Sequence, residues 1–192
     1  MKVLIVVDMQ KDFIDGALGT PEAQAVVPKV ADAIRQAADK DTVVIFTKDT
    51  HPANYMDTLE GKNLPVPHCI EHTPGWGIVD EVFQAYINVI DEYMEPWCVC
   101  NAETNPIRVN KPTFGSIELQ DILYTMNSVN EITDITLMGV CTGICVLSNA
   151  ILAKATLPEA NVNVVPDCCA CVSPESHKTA LEAMKLCQIN II

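Results

Sequence analysis

From Ile135 to Ala153 the chain runs 19 residues without a charged side chain. A stretch of that kind is buried in a protein core or crosses a bilayer, whose hydrocarbon takes about 20 apolar helical residues. Here Gly139, Thr142, Gly143, Ser148 and Asn149 interrupt it. The run Ile132 to Val140 is β-like, and a helical pattern starts at about Gly143. The stretch therefore reads as a buried strand feeding a buried helix. Cys145 falls in the first turn of that helix, where the partial positive charge of the N-terminus stabilises a thiolate. It is a candidate nucleophile, or else a small residue packed in a strand-to-helix corner. The decision rests on whether the rest of the chain supplies a base, a cation and a pocket.

The remaining segments repeat the same alternation. Lys2–Val7 is a continuous apolar, β-branched run, the pattern of a central parallel strand covered on both faces, and it ends at Asp8. Met9 to Thr20 reads as a loop. Pro21 to Lys40 reads as a helix, with Val26, Val27, Val30, Ile34 and Ala37 on one face. Thr42–Thr47 is a second buried strand, ending at Lys48–Asp49. His51 to Gly77 is a long polar loop rich in Pro and Gly, of a length usually kept for function. A helix is expected from Ile78 to Met94, a short strand or loop at Trp97–Cys100, and a strand end at Arg108–Lys111. Pro112–Gly115 reads as a turn, and Ser116 as the cap of a helix to about Met126. Asn161–Val165 is a strand, Pro166–Ser173 a loop, Ser173 the cap of a helix to about Cys187, and Ile189–Ile192 a last strand. Strands alternating with helices imply an α/β fold around a mostly parallel sheet, here as one domain of 192 residues.

A formal net charge of −13 argues against nucleic acid and anionic membranes as partners. The cysteines number nine, and no secretory signal precedes the first strand. They read as free thiols of a reducing cytoplasm. Neither Cys98/Cys100 nor Cys168/Cys169/Cys171 has the spacing of a zinc knuckle.

In parallel sheets ligands bind beyond the carboxyl ends of the strands. Asp8, Asp49, Lys111 and Cys141–Cys145 all fall there. Asp8, Lys111 and Cys145 form a possible triad of base, cation and thiol, since a thiol needs a neighbour to take its proton and a positive charge to hold the thiolate. Asp49 and His51 sit two apart on an extended chain and so share a face. With Glu60 and His68 from the loop they make a nitrogen–oxygen ligand set suited to zinc, iron or manganese, with Asp57 as a rival to Glu60.

These residues carry a resemblance. Val6-Val7-Asp8-Met9-Gln10-Lys11-Asp12-Phe13, Asn110-Lys111-Pro112-Thr113-Phe114 and Gly139-Val140-Cys141-Thr142-Gly143-Ile144-Cys145-Val146 resemble the three catalytic segments of the isochorismatase-like cysteine hydrolases. Asp167 through Ser173-Pro174-Glu175-Ser176-His177 to Ala180-Leu181 resembles their last loop and helix. Within that superfamily, Asp49, His51 and His68-Cys69 resemble the metal motif of the nicotinamidases. The resemblance implies a three-layer αβα sandwich with a six-stranded, mostly parallel sheet. It implies that Asp8 deprotonates Cys145, that Lys111 stabilises the thiolate, and that a thioester forms on Cys145. The backbone N–H groups of Cys141 and Cys145 would hold the oxyanion, and the Val140–Cys141 peptide would be cis. A divalent metal, zinc first among the choices, would sit on Asp49, His51, Glu60 and His68 and bind the pyridine nitrogen of nicotinamide. Relatives often place an aromatic residue where this chain has Pro65-Val66-Pro67. Phe13 and Trp76 are the expected replacements for that wall. The implied activity is hydrolysis of nicotinamide to nicotinate and ammonia in NAD salvage; the alternative is another superfamily amidase acting on a different small amide. The expected partners are a small-molecule amide and further copies of the chain in a homo-oligomer.

Overall fold

The structure is a computed structural model that describes residues 1–37, 41–93 and 107–192. The expected strand or loop at Trp97–Cys100 lies outside them. Six strands form one sheet: β1 (Lys2–Val7), β2 (Thr42–Asp49), β3 (Ile107–Lys111), β4 (Asp134–Val140), β5 (Asn161–Ala170) and β6 (Asn190–Ile191). Their order is β3-β2-β1-β4-β5-β6, and every pairing is parallel. The helices are α1 (Lys11–Ile14), α2 (Pro21–Ala37), α3 (Leu59–Asn63), α4 (Asp80–Tyr93), α5 (Ile117–Val129), α6 (Leu147–Thr156) and α7 (Pro174–Leu186). α2 packs on α4 over one face of the sheet, while α6 packs between α5 and α7 over the other. This is the three-layer αβα architecture. No described helix is long and apolar enough to cross a membrane.

Hydrophobic burial explains the arrangement. Val3, Leu4, Ile5, Val6 and Val7 of β1 are all buried, as only a central strand covered on both faces allows. Each such side chain contributes about 1.5–3 kcal/mol on leaving water. α2 turns Ala23, Val26, Val27, Val30, Ala31 and Ile34 into the same core, the apolar stripe anticipated from its spacing. The strand order reverses between β1 and β4, and such a reversal opens a crevice at the carboxyl end of the sheet. Register then sets what meets there. Val7 is level with Thr47 on one side and Gly139 on the other, and Asp49 is paired with Lys111.

Three local readings are corrected. Pro166 does not end β5, which continues to Ala170. The pairing jumps from Leu137↔Val164 to Gly139↔Cys169, so Pro166 lies in an irregular stretch where no ladder donor is required of it. The buried helix does not begin as α-helix at Gly143: a π-helical turn, Thr142–Val146, precedes α6. The loops also hold local structure, α1 within Met9–Thr20 and short helices at Tyr55–Asp57, Leu59–Asn63 and Pro74–Trp76 within 51–77. Ser116 caps α5 as read, its hydroxyl accepting from the Leu119 N–H.

Gly139 lies level with Val7 in the β1–β4 pairing. Its φ is +122°, and a Cβ built there would lie 2.1 Å from the Val7 carbonyl oxygen. Gly139→Ala is expected to lower stability by about 2–5 kcal/mol, combining a disfavoured backbone with overpacking. Denaturant unfolding measures this; a variant as stable as the parent would contradict the register at this point.

Candidate active site

Asp8 leaves β1 with φ +49° and has no exposed surface. Its Oδ1 accepts a 2.7 Å hydrogen bond from the Thr47 hydroxyl, and its Oδ2 lies 2.7 Å from Lys111 Nζ. The Lys111 ammonium is equally buried. It donates to Thr113 O at 3.1 Å, to Asp49 Oδ1 at 3.2 Å and toward Cys145 Sγ at 3.4 Å. The three residues read as a triad thus meet around one nitrogen. The peptide Val140–Cys141 is cis, as the resemblance implied.

Burial dominates the protonation of this group. It raises Asp8 above the usual carboxylate range, against the pull of Lys111. Burial would lower Lys111, but Asp8, Cys145 and Asp49 outweigh it and hold the ammonium above its ordinary value. Cys145 differs from the sequence reading. Its thiol is pushed well above the ordinary value, first by burial and then by the Asp8 charge, with Lys111 opposing. The helix N-terminus does not leave a standing thiolate, because desolvation of a sulfur in the core outweighs it. Cys145 and Asp8 both lie against the Lys111 ammonium, the sulfur at 3.4 Å and Oδ2 at 2.7 Å.

Asp49, His51, Glu60 and His68 form a second group, their ligand atoms all within 4.8 Å of one another. His51 Nε2 is 2.9 Å from Asp49 Oδ2 and 3.7 Å from Glu60 Oε1, and His68 Nε2 is 3.4 Å from Asp49 Oδ2. His68 Nδ1 is 2.7 Å from the Val66 carbonyl. That contact assigns the ring proton to Nδ1 and leaves Nε2 as a lone-pair donor. Ligands at about 2.0–2.2 Å from one ion stand roughly 3–4.4 Å apart, so shifts of tenths of an ångström close these four donors on a divalent cation. Two carboxylates match its charge. Burial would raise Asp49, but hydrogen bonds from His51 and His68 and the Lys111 charge bring it below the ordinary carboxylate range. Asp57, in the turn Tyr55–Asp57, is not part of the group.

Both groups face one cavity of about 260 Å³. Cys145, Cys141, Asp49, Glu60 and His68 line its reactive side, and Phe13, Leu18, Leu64, Phe114 and Ile144 its apolar side. Phe13 is where the sequence placed it, 5.5 Å from the His68 ring. Trp76 is not in the lining. Its indole N–H donates to Thr50 Oγ1 at 2.9 Å, and the Lys48 ammonium stands 2.9 Å over its ring. Leu64 and Phe114 supply the wall for which Trp76 was proposed.

Sequence reasoning passed over the residues that hold the site in place. Gln10 accepts from the Asp49 N–H at 2.7 Å and donates to the Asp49 and Trp76 carbonyls. Asp12 accepts from the Cys69 N–H at 2.7 Å. Gly75 of the 51–77 loop also packs directly against the Asp12 carboxylate. Tyr55 is buried against both imidazoles, with ring centroids 4.7 Å from His51 and 5.0 Å from His68. Gln10 and Asp12 lie inside a segment already singled out; their signal was a polar side chain next to a buried strand end.

The profile of the Isochorismatase domain family matches residues 2–90 and 100–192. A nicotinamidase of Saccharomyces cerevisiae is 31% identical over 126 residues, which cover 48% of this chain and 56% of that enzyme. The match thus spans little more than half of that relative's length. The crystal structure of a pyrazinamidase of Pyrococcus horikoshii in complex with zinc is similar over 100% of this chain and 98% of that one, with 29% identity and a TM-score of 0.75. A pyrazinamidase/nicotinamidase of Streptococcus mutans is similar over the whole of both chains, at 25% identity and a TM-score of 0.79.

Glu60→Ala is expected to weaken metal binding by about 10–100-fold and Asp57→Ala to leave it unchanged. Metal content after equilibrium dialysis against zinc separates the two; the reverse order would move the ligand to Asp57.

Proposed function

The chain belongs to the isochorismatase family, and from that premise we propose that it is a metal-dependent cysteine amidohydrolase that converts nicotinamide to nicotinate and ammonia, a reaction of NAD salvage. One observation carries the reading: Asp49 gives one carboxylate oxygen to Lys111 and the other to the His51/His68 cluster. A ring anchored at the cluster is thereby placed beside the thiol. A metal-free hydrolase has no use for that sharing. The cavity, small and mostly apolar, suits a flat heteroaromatic amide.

In this mechanism Asp8 takes the thiol proton of Cys145 as Sγ attacks the amide carbonyl. Its raised pKa keeps it basic enough for the task, and Lys111 offsets the developing thiolate. The backbone N–H groups of Cys141 and Cys145 receive the oxyanion; one such donor is typically worth about 3–4 kcal/mol. Asp8 returns its proton to the departing nitrogen, ammonia leaves, and a thioester remains on Cys145. Asp8 then deprotonates a water that attacks the thioester, and the acid is released as the thiol is restored. Asp49, His51, Glu60 and His68 would hold a divalent ion, zinc in this proposal, which would supply Lewis-acid anchoring of a ring nitrogen. Phe13, Leu64 and Phe114 exclude water and confine the ring.

Cys145→Ala is expected to reduce ammonia release from nicotinamide by about 10³-fold or more while the protein remains folded. Unchanged release in that variant would remove Cys145 from the reaction. Prolonged chelation should abolish turnover of nicotinamide, with added zinc restoring it. Turnover indifferent to chelation would defeat the metal-anchored reading.

A further inference from the structure

Asn149 is the polar side chain that the catalytic account leaves unused. It sits in α6, one turn after Cys145, with no exposed surface. All three of its recorded hydrogen bonds reach the active-site frame. Its Nδ2 donates to the Cys145 carbonyl at 2.8 Å and to the Phe114 carbonyl at 3.0 Å, and its Oδ1 accepts from the Ser116 N–H at 3.0 Å. The amide orientation is fixed by this pattern, since a flipped group would face two carbonyls with an oxygen.

The two segments joined in this way carry different parts of the site. Cys145 belongs to the π-helical turn Thr142–Val146. Phe114 and Ser116 belong to the turn after β3, where Thr113 O holds Lys111 Nζ at 3.1 Å and Phe114 lines the cavity. The π-helical turn carries its own backbone bonds, among them Val146 N–H to Cys141 O at 3.1 Å, and the Asn149 amide adds one to the Cys145 carbonyl from the helix that follows. Helix geometry alone explains a hydroxyl or amide bonding back to the carbonyl four residues earlier. It does not explain the two further bonds to a separate loop.

We propose that Asn149 is a positioning residue for amide hydrolysis. It clamps the Cys145 turn to the 113–116 loop and so sets the distance between the Cys145 sulfur and the Lys111 ammonium, 3.4 Å in this structure. The inference rests on Cys145 being the nucleophile, as read above. It does not depend on which amide is the substrate. Asn149 touches neither substrate nor reacting atoms, and its effect falls on the chemical step, not on binding of the ring.

The test uses Asn149→Ala and Asn149→Thr, each judged by thermal melting and metal content before kinetics. Asn149→Ala removes all three bonds. Asn149→Thr keeps a hydroxyl able to bond the Cys145 carbonyl but cannot reach both partners in the loop. The expected result is a fall in kcat for nicotinamide of about 10–100-fold for Asn149→Ala, with KM within about threefold of the parent and Asn149→Thr between the two. A second readout needs no substrate. Peptide mapping of iodoacetamide labelling should show slower alkylation of Cys145 in Asn149→Ala, with the exposed Cys187 labelled at the parental rate. The proposal is overturned if kcat and Cys145 alkylation both stay within twofold of the parent, or if KM alone rises. It is equally overturned if neither variant folds, which would make the clamp a matter of stability only. Should the parent protein fail to turn over nicotinamide, the substrate assignment fails while the alkylation result still decides the role of Asn149.

Discussion

A fully buried ammonium is the constraint on which the site is built. Moving such a charge out of water costs several kcal/mol, and only close negative or polar partners offset it. Lys111 has them in Asp8, Asp49, the Thr113 carbonyl and the Cys145 sulfur. Each partner comes from a different part of the chain: the end of β1, the end of β2, the turn after β3 and the turn after β4. The sheet must deliver four segments to one point, and the reversal of strand order between β1 and β4 gives them room to converge.

The same burial separates two tasks within a small volume. On one side, desolvation lifts both the Asp8 carboxyl and the Cys145 thiol. On the other, hydrogen bonds from two imidazoles and the Lys111 charge bring Asp49 below the ordinary carboxylate range. Two carboxylates at the ends of neighbouring strands thus behave oppositely because their partners differ. Asp8 has one cation and a hydroxyl; Asp49 faces three nitrogen-bearing groups.

The architecture was readable because its signals are local. Continuous apolar strands, an amphipathic α2 and the serine caps at Ser116 and Ser173 follow from residue type and period, and the structure has all of them. The candidate site residues stand out in the sequence because each sits at a strand end or in the loop rich in histidine and carboxylate. What escaped depends on three-dimensional proximity. Nothing in the spacing of Trp76 shows that its indole turns to Thr50 and Lys48, away from the cavity. Leu64 and Phe114 look like ordinary apolar residues until the fold places them across from Phe13. Pro166 reads as a strand end because a single sequence does not reveal the irregular register that accommodates it. The thiol's protonation was misjudged for a related reason: a helix terminus is visible in sequence, whereas the depth of the sulfur is not.

The segment from Asp8 to Phe13 shows how much of the site is drafted in one place. Asp8 faces the thiol, Gln10 fastens the backbone of Asp49, Asp12 fastens the loop behind His68, and Phe13 closes on the His68 ring. Six consecutive residues thus set the spacing of the candidate base, the candidate metal ligands and the cavity wall. The spacing within this hexapeptide fixes how its contacts to three parts of the site are placed relative to one another. An insertion or deletion within it breaks every one of those distances at once. Leu64, Phe114 and Ile144, which line the cavity from other segments, lie outside that constraint.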